Sequence, residues 1–200
     1  MKRIAILVSG RGSNFEAIAR NIVAGRLDAH IACVISNQPE AKALESATAL
    51  GLKAISLPSK GVDTDVYAER VCEALVSLNV DLVCLAGFMR RVGKPLLDKY
   101  GMRILNIHPS LLPAFPGLHV QQQALDYGVK FSGCTVHFVD SGLDTGPIVT
   151  QAAVPVLDTD DADTLAARIL LEEHRIYSEA IALVLSGRFH IAGRRVIPGL

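Results

Sequence analysis

The chain has 200 residues, long enough to bury a large core in one compact domain. Its 20 basic and 20 acidic side chains cancel to no formal net charge, and the densest basic cluster, Arg188 to Arg195, is short and read as solvated, so no nucleic-acid partner is expected. Half the residues are apolar, yet the first apolar run, Ile4 to Val8, is too short for a signal-peptide core or a membrane span, so neither is expected.

In chain order, short apolar runs suited to strands occur at Ile4 to Val8, Ile31 to Ser36, Ala54 to Leu57, Val80 to Ala86 and Ile104 to Ile107. Stretches with helical spacing lie between them, at Asn14 to Ala24, Ala41 to Leu50, Val66 to Leu78 and Pro95 to Tyr100. This alternation predicts an α/β fold, a doubly wound and mostly parallel twisted sheet whose ligands gather at the C-terminal strand ends. After residue 115 the pattern changes to a helix over His119 to Asp126 and then two strands, Cys134 to Val139 and Ile148 to Val156, the start of an antiparallel C-terminal portion. Glycine, aspartate and proline crowd the segment between those strands, Asp140 to Pro147, which predicts a defined loop. From Thr159 a long helical pattern runs to Gly187, a suitable C-cap, and Arg188 to Val196 is read as a final strand or edge segment. The four cysteines, Cys33, Cys72, Cys84 and Cys134, are scattered without a C-x-x-C pair; they are read as reduced core residues of a cytoplasmic protein.

Ser9-Gly10-Arg11-Gly12-Ser13-Asn14 joins the first strand to the first helix, where backbone N–H groups and the helix dipole can receive an anion. Phe15 stands in place of the third glycine of a dinucleotide fingerprint, and no Lys-Ser or Lys-Thr pair completes a Walker loop. A mononucleotide or sugar phosphate suits the loop better than a dinucleotide; the alternative is a tight turn without a ligand.

Asn106 and His108 end a strand two residues apart and so point to one side, before Pro109 stops the strand. A histidine at a strand end can act as general acid or base, and a neighbouring amide can donate to an oxyanion. A loop carboxylate such as Asp144 would complete the set by orienting the imidazole. The other reading of His108 is a packed or surface residue. No serine sits in a nucleophile elbow, and no cysteine has a local activator. His108, His119, His137 and Asp144 lack the spacing of a metal site, so no metal is expected. His119 is read as a cap or site-wall residue, and His137, on one strand face with Thr135, as a supporting residue rather than a catalyst.

Taken in order, Ser9 to Asn14, Leu85-Ala86-Gly87-Phe88-Met89-Arg90, Asn106 through Pro113 with Pro116-Gly117-Leu118-His119, Thr135 through Val139, Asp144 with Gly146-Pro147, and Glu173-His174 resemble the phosphoribosylglycinamide formyltransferases. These are the folate-dependent glycinamide ribonucleotide transformylases of purine synthesis. The resemblance implies a single Rossmann-like formyltransferase domain over 1–200, with a phosphate-binding half of about 1–100 and a catalytic, folate-binding half of about 101–200. It implies that Asn106, His108 and Asp144 are catalytic, that Gly12, Ser13 and Asn14 hold the substrate phosphate, and that Glu173 binds the ribose. It places folate along Phe88, Met89, Arg90 and Val92 and against Val139 and Asp140, with Thr135, His137 and His119 in support. The co-substrate would be 10-formyltetrahydrofolate, the acceptor glycinamide ribonucleotide, and the enzyme a monomer or homodimer without nucleic-acid or membrane partners. Arg91, where an apolar residue is expected, and Thr64, where some relatives carry an arginine for the folate tail, depart from the pattern. Relatives performing other reactions would differ in architecture: a formyltetrahydrofolate hydrolase by an added N-terminal regulatory domain, a methionyl-tRNA formyltransferase by a longer C-terminal module and a basic patch. A nucleotide-binding regulator that had lost the chemistry is the remaining alternative.

Overall fold

A computed structural model describes residues 1–199 and divides into two compact units, Met1–Asn106 and the chain from Ile107 onward. In the first unit the elements run β1 (Arg3–Val8), α1 (Ser13–Val23), β2 (His30–Ser36), α2 (Lys42–Ala49), β3 (Ala54–Ser56), α3 (Thr64–Ser77), β4 (Leu82–Leu85), α4 (Lys94–Tyr100) and β5 (Ile104–His108). The chain passes to the second unit inside β5.

The strands of the first unit are all parallel, in the order β3-β2-β1-β4-β5. Ile4, Ile6 and Leu7 of β1 and Leu82 and Val83 of β4 are almost fully buried, as expected of central parallel strands covered on both faces. Because the chain winds outward from β1 to β3 and then returns to β4, the order reverses between β1 and β4. Such a switch point leaves a crevice beyond the strand ends. Four loop residues fasten that edge. Met89 N donates to Ser9 Oγ (2.8 Å), Ser9 Oγ donates to Asn37 Oδ1 (2.6 Å), and Asn37 Nδ2 donates to Ser59 Oγ (3.1 Å). Asn37, which replaces the acidic residue of a dinucleotide fold, is therefore occupied in holding loops together.

The second unit contains α5 (Val120–Tyr127), β6 (Phe131–Phe138), β7 (Ile148–Pro155), α6 (Ala162–Ser186), β8 (Phe189–Ala192) and β9 (Arg195–Pro198). β6 and β7 form an antiparallel hairpin, β9 pairs in parallel with β7 at Ile148↔Arg195, and β8 returns antiparallel on β9. The α/β class and the antiparallel C-terminal strands thus agree with the sequence expectation. Beyond shifts of a few residues at other element ends, two differences matter. β6 starts at Phe131 rather than Cys134, because Gly133 allows the partner strand to approach: a Cβ there would lie 1.9 Å from the Ala152 carbonyl oxygen. The segment Arg188 to Val196, expected as a final strand or edge segment, belongs to a two-stranded hairpin turned at Gly193 with φ 61.

α6 is fixed at both ends by its own sequence. The Asp161 carboxylate accepts from Thr164 N (2.8 Å) while Thr164 Oγ1 accepts from Asp161 N (2.9 Å), and Gly187 closes the helix with φ 66. Leu165, Ile169, Ile176, Tyr177, Ala180 and Ile181 are buried at helical spacing, on a helix packed against β6 and β7. Removing each of the leucine and isoleucine side chains from water contributes roughly 1.5–3 kcal/mol.

Candidate active site

β5 carries Asn106, half-buried, and His108, 5% exposed, on alternate positions of one strand face. The loop after β5 is held by Thr135 of β6. Its hydroxyl donates to Ser110 O (2.7 Å) and accepts from Leu112 N (3.1 Å) and from Gln151 Nε2 (2.9 Å). Ser110 Oγ in turn donates to Ala114 O (2.6 Å), which folds the loop back so that Phe115 O comes 2.9 Å from His108 Nε2. A carbonyl only accepts, so Nε2 carries a proton.

The other imidazole nitrogen, Nδ1, faces Asp144 Oδ2 at 3.6 Å. Asp144 lies in the left-handed region (φ 53), and Gly117 N donates to the same oxygen (2.9 Å). Its second oxygen, Oδ1, lies 3.7 Å from His137 Nε2. Thus the long sequence gap between His108 and Asp144 is closed, with a second imidazole beside the same carboxylate.

The two histidines differ in character. His137 Nδ1–H donates to Phe138 O (2.8 Å), and burial in β6 pushes its pKa below the ordinary histidine range against the opposing pull of that carbonyl and of Asp144. Neutral His137 therefore presents a lone pair to Asp144. His108 donates Nε2–H to Phe115 O and turns Nδ1 toward Asp144.

The loop from Val139 to Pro147 places that carboxylate. Asp140 Oδ1 accepts from Gly142 N (3.0 Å) and from Thr145 Oγ1 (2.6 Å). A Cβ on Gly146 would fall 1.7 Å from Phe138 O, so glycine is required by the close return of the loop onto β6. Asp140, expected to meet folate, spends one carboxylate oxygen on its own loop. Val139 and Asp140 are half-buried.

In the first unit, Gly12 ends the loop after β1 with φ 82, and Ser13 and Asn14 begin α1. A Cβ on Gly12 would lie 2.6 Å from Ala43 Cβ. The opening N–H groups of α1 have no intrahelical acceptor, which is the local basis for an anion seat. The loop after β4 exposes Met89, while Phe88 stacks on Tyr67 (6.4 Å between centroids). Arg90 turns inward. Its guanidinium donates to Ser59 O (3.2 Å) and Val62 O (2.6 Å) and lies 4.9 Å from the Tyr67 ring centre. Val92 is half-buried, Arg91 is exposed, and Thr64 opens α3 behind the Asp63 cap.

Glu173 is buried on α6 in the second unit, and its charge contributes, after burial itself, to raising the Cys134 thiol to about 12. His119 is exposed and stands at the N-cap position of α5 with φ 56, but its side chain makes no capping hydrogen bond. Among the described residues no three His, Cys, Asp or Glu side chains converge as metal ligands would, and no helix is long and apolar enough to cross a membrane. Sequence reading overlooked the Phe115 carbonyl and the Gly117 amide. Backbone groups leave no residue-type signature; the Pro116-Gly117 turn was the sole hint.

Comparison with known proteins adds an independent line. Residues 2–181 match the family described as Formyl transferase. The chain is 41% identical over 186 residues to the phosphoribosylglycinamide formyltransferase of Bacillus subtilis, covering 92% of this chain and 95% of that protein. It is also 47% identical over 189 residues to the trifunctional purine biosynthetic protein adenosine-3 of Drosophila melanogaster; that match covers 93% of this chain but only 14% of the longer protein. Among solved structures, glycinamide ribonucleotide transformylase 1 from Symbiobacterium toebii is similar with a TM-score of 0.97 at 50% identity, covering 100% of this chain and 95% of that one. A formyltetrahydrofolate deformylase from Pseudomonas syringae gives a TM-score of 0.93 at 26% identity, covering 100% of this chain and 66% of that one.

Proposed function

Because the chain belongs to the phosphoribosylglycinamide formyltransferases of the formyl transferase family, we propose that it transfers the formyl group of 10-formyltetrahydrofolate to the amine of glycinamide ribonucleotide in de novo purine synthesis. The observation that carries this reading is the placement of Asp144 against His108, on the strand that also bears Asn106.

The reaction is a direct acyl transfer. The glycinamide amine attacks the formyl carbon, a C–N bond forms, and the carbonyl electron pair moves onto oxygen in a tetrahedral intermediate. The Asn106 amide and the His108 imidazolium donate to that oxyanion, His108 by releasing Nε2–H from the Phe115 carbonyl. Asp144 holds the imidazolium charge and its orientation. A proton passes from the attacking amine to N10 of the folate, with His108 as general acid and base, and the bond to N10 breaks as the carbonyl re-forms. No covalent enzyme adduct is required.

In this reading Gly12, Ser13 and Asn14 receive the phosphate and Glu173 the ribose hydroxyls. Phe88, Met89, Arg90, Val92, Val139 and Asp140 take the folate; the inward turn of the Arg90 guanidinium leaves its backbone for that contact. Free thiols at all four cysteines agree with a reducing cytoplasm.

The test is to follow folate absorbance with 10-formyltetrahydrofolate in the presence and absence of glycinamide ribonucleotide. Deformylation that requires the amine and yields formylated amine supports the proposal. Equal turnover without the amine identifies a hydrolase instead, and no turnover in either mixture identifies a binding protein.

A further inference from the structure

The terminal hairpin β8–β9 lies beyond residue 181, where the match to the family ends. It nevertheless meets the Asp144 loop and the two strand ends that frame it, at three points. At the start of the loop, Phe189 of β8 stacks on Phe138, the last residue of β6, with 5.8 Å between centroids and 28° between planes. At its end, Arg195 of β9 pairs with Ile148, the first residue of β7. In the middle, Arg194 at the hairpin turn donates from its guanidinium to the carbonyl of Thr145, the residue after Asp144.

We infer that the hairpin positions the Asp144 carboxylate, with Arg194 as the positioning residue; this rests on the acyl-transfer reading above. The physical case is one of constraint. Asp144 holds a left-handed backbone, uncommon for a residue with a Cβ, and such a conformation persists only where its surroundings over-determine it. Asp140 fastens Thr145 by its hydroxyl, Gly117 fastens the Asp144 carboxylate, and Arg194 supplies the anchor on the main chain between them. A charged donor to a carbonyl is among the stronger hydrogen bonds, and the glycine turn at Gly193 aims it. Arg194 touches no reacting atom. It acts by keeping Asp144 between His108 and His137.

Three substitutions separate positioning from mere stability. In Arg194→Ala, kcat falls about tenfold, less than the ~10²-fold that a ~1 Å misplacement can cost, while both KM values stay within about twofold. The melting temperature moves by less than about 3 °C, the shift that ~1 kcal/mol gives at this chain length. Arg194→Lys, which retains a cationic donor, recovers part of kcat. Arg195→Ala removes the same charge one residue away, keeps the main-chain pairing of that position with Ile148, and matches wild type. Independently of substrate, the imidazole nitrogen resonances of His108 and His137 move in Arg194→Ala. Wild-type kcat together with unmoved imidazole resonances in Arg194→Ala overturns the inference, and a loss of kcat equalled by Arg195→Ala does so as well. Asp144→Asn is assayed alongside. If it is inactive while Arg194→Ala keeps wild-type kcat and unmoved imidazole resonances, the hairpin role fails and the acyl-transfer reading stands. If it is fully active, the acyl-transfer reading fails, and the imidazole spectra alone decide on Arg194.

Discussion

Replacing Asp144 by asparagine removes one charge while keeping a carbonyl oxygen for the Gly117 amide, which donates to it across 2.9 Å in the native protein. The loop therefore retains its main-chain partner, and the loss isolates the interaction with His108. Both side chains are nearly buried, at 6% and 11% exposure, and the closest nitrogen and oxygen lie 3.6 Å apart. Unit charges at that separation in an effective dielectric of ~20 attract by about 4 to 5 kcal/mol. Each ~1.4 kcal/mol corresponds to tenfold in rate, so if the attraction is realised in the transition state, kcat falls by about 10³-fold. Neither substrate is proposed to touch Asp144 directly, so both KM values stay within about threefold. Steady-state absorbance assays with each substrate varied in turn measure the two effects separately. A kcat within about tenfold of wild type, in protein with a normal melting curve, refutes the reasoning.

Other consequences concern the glycine loop, the thiols and acid stability. Gly12→Ala forces a side chain into the left-handed region and toward Ala43, and raises KM for glycinamide ribonucleotide about tenfold with the folate KM unchanged, as initial-rate kinetics will show. Burial pushes the Cys33 thiol up to about 11 and the Cys134 thiol up to about 12, and Cys84 is fully buried. Alkylation at pH ~8 therefore labels half-buried Cys72 first, with the other three reacting only after denaturation, as peptide mass mapping will test. The two hydrogen bonds from Arg168 to Asp160, then that from the Leu157 amide, hold the Asp160 carboxyl well below the ordinary carboxylate range. A carboxylate depressed on folding contributes stability above its unfolded pKa of ~3.9 and loses it as pH falls toward the folded value. The melting-temperature gap between wild type and Asp160→Asn is thus full at neutral pH and narrows below pH ~4; a gap that stays constant to pH ~3 contradicts the assignment.

Much of the architecture was legible in the chain because it is set by local physics. Ile4 to Val8 followed by Ser9-Gly10-Arg11-Gly12 could be little else than a buried strand and a turn into a helix. The run from Asp161 to Gly187 carries its own cap, apolar stripe and stop signal. Asn106 and His108 share a strand face because strand alternation has period two. Even the chemistry was within reach, since the ordered motifs from Ser9 to His174 named a family that comparison then supported.

Periodicity says which face of an element is buried, but not which residues of other elements meet it. The approach of Asp144 to His108 depends on a left-handed residue in an irregular loop and on a backbone amide from Gly117, neither of which leaves a composition signal. His137, on the same strand face as Thr135, gave no sign that it would lie beside the same carboxylate or that burial would keep it neutral. Arg90 was placed along the folate by resemblance alone, and nothing in the pattern showed that the carbonyls of Ser59 and Val62 draw its guanidinium inward. Arg194 looked like part of a solvated basic end and instead grips the Thr145 carbonyl. The sequence by itself determined the elements and put forward the candidate site residues, through local propensity, pattern and family resemblance. Tertiary structure decided their aim and support, because those depend on backbone donors and acceptors that meet them only once distant segments have packed.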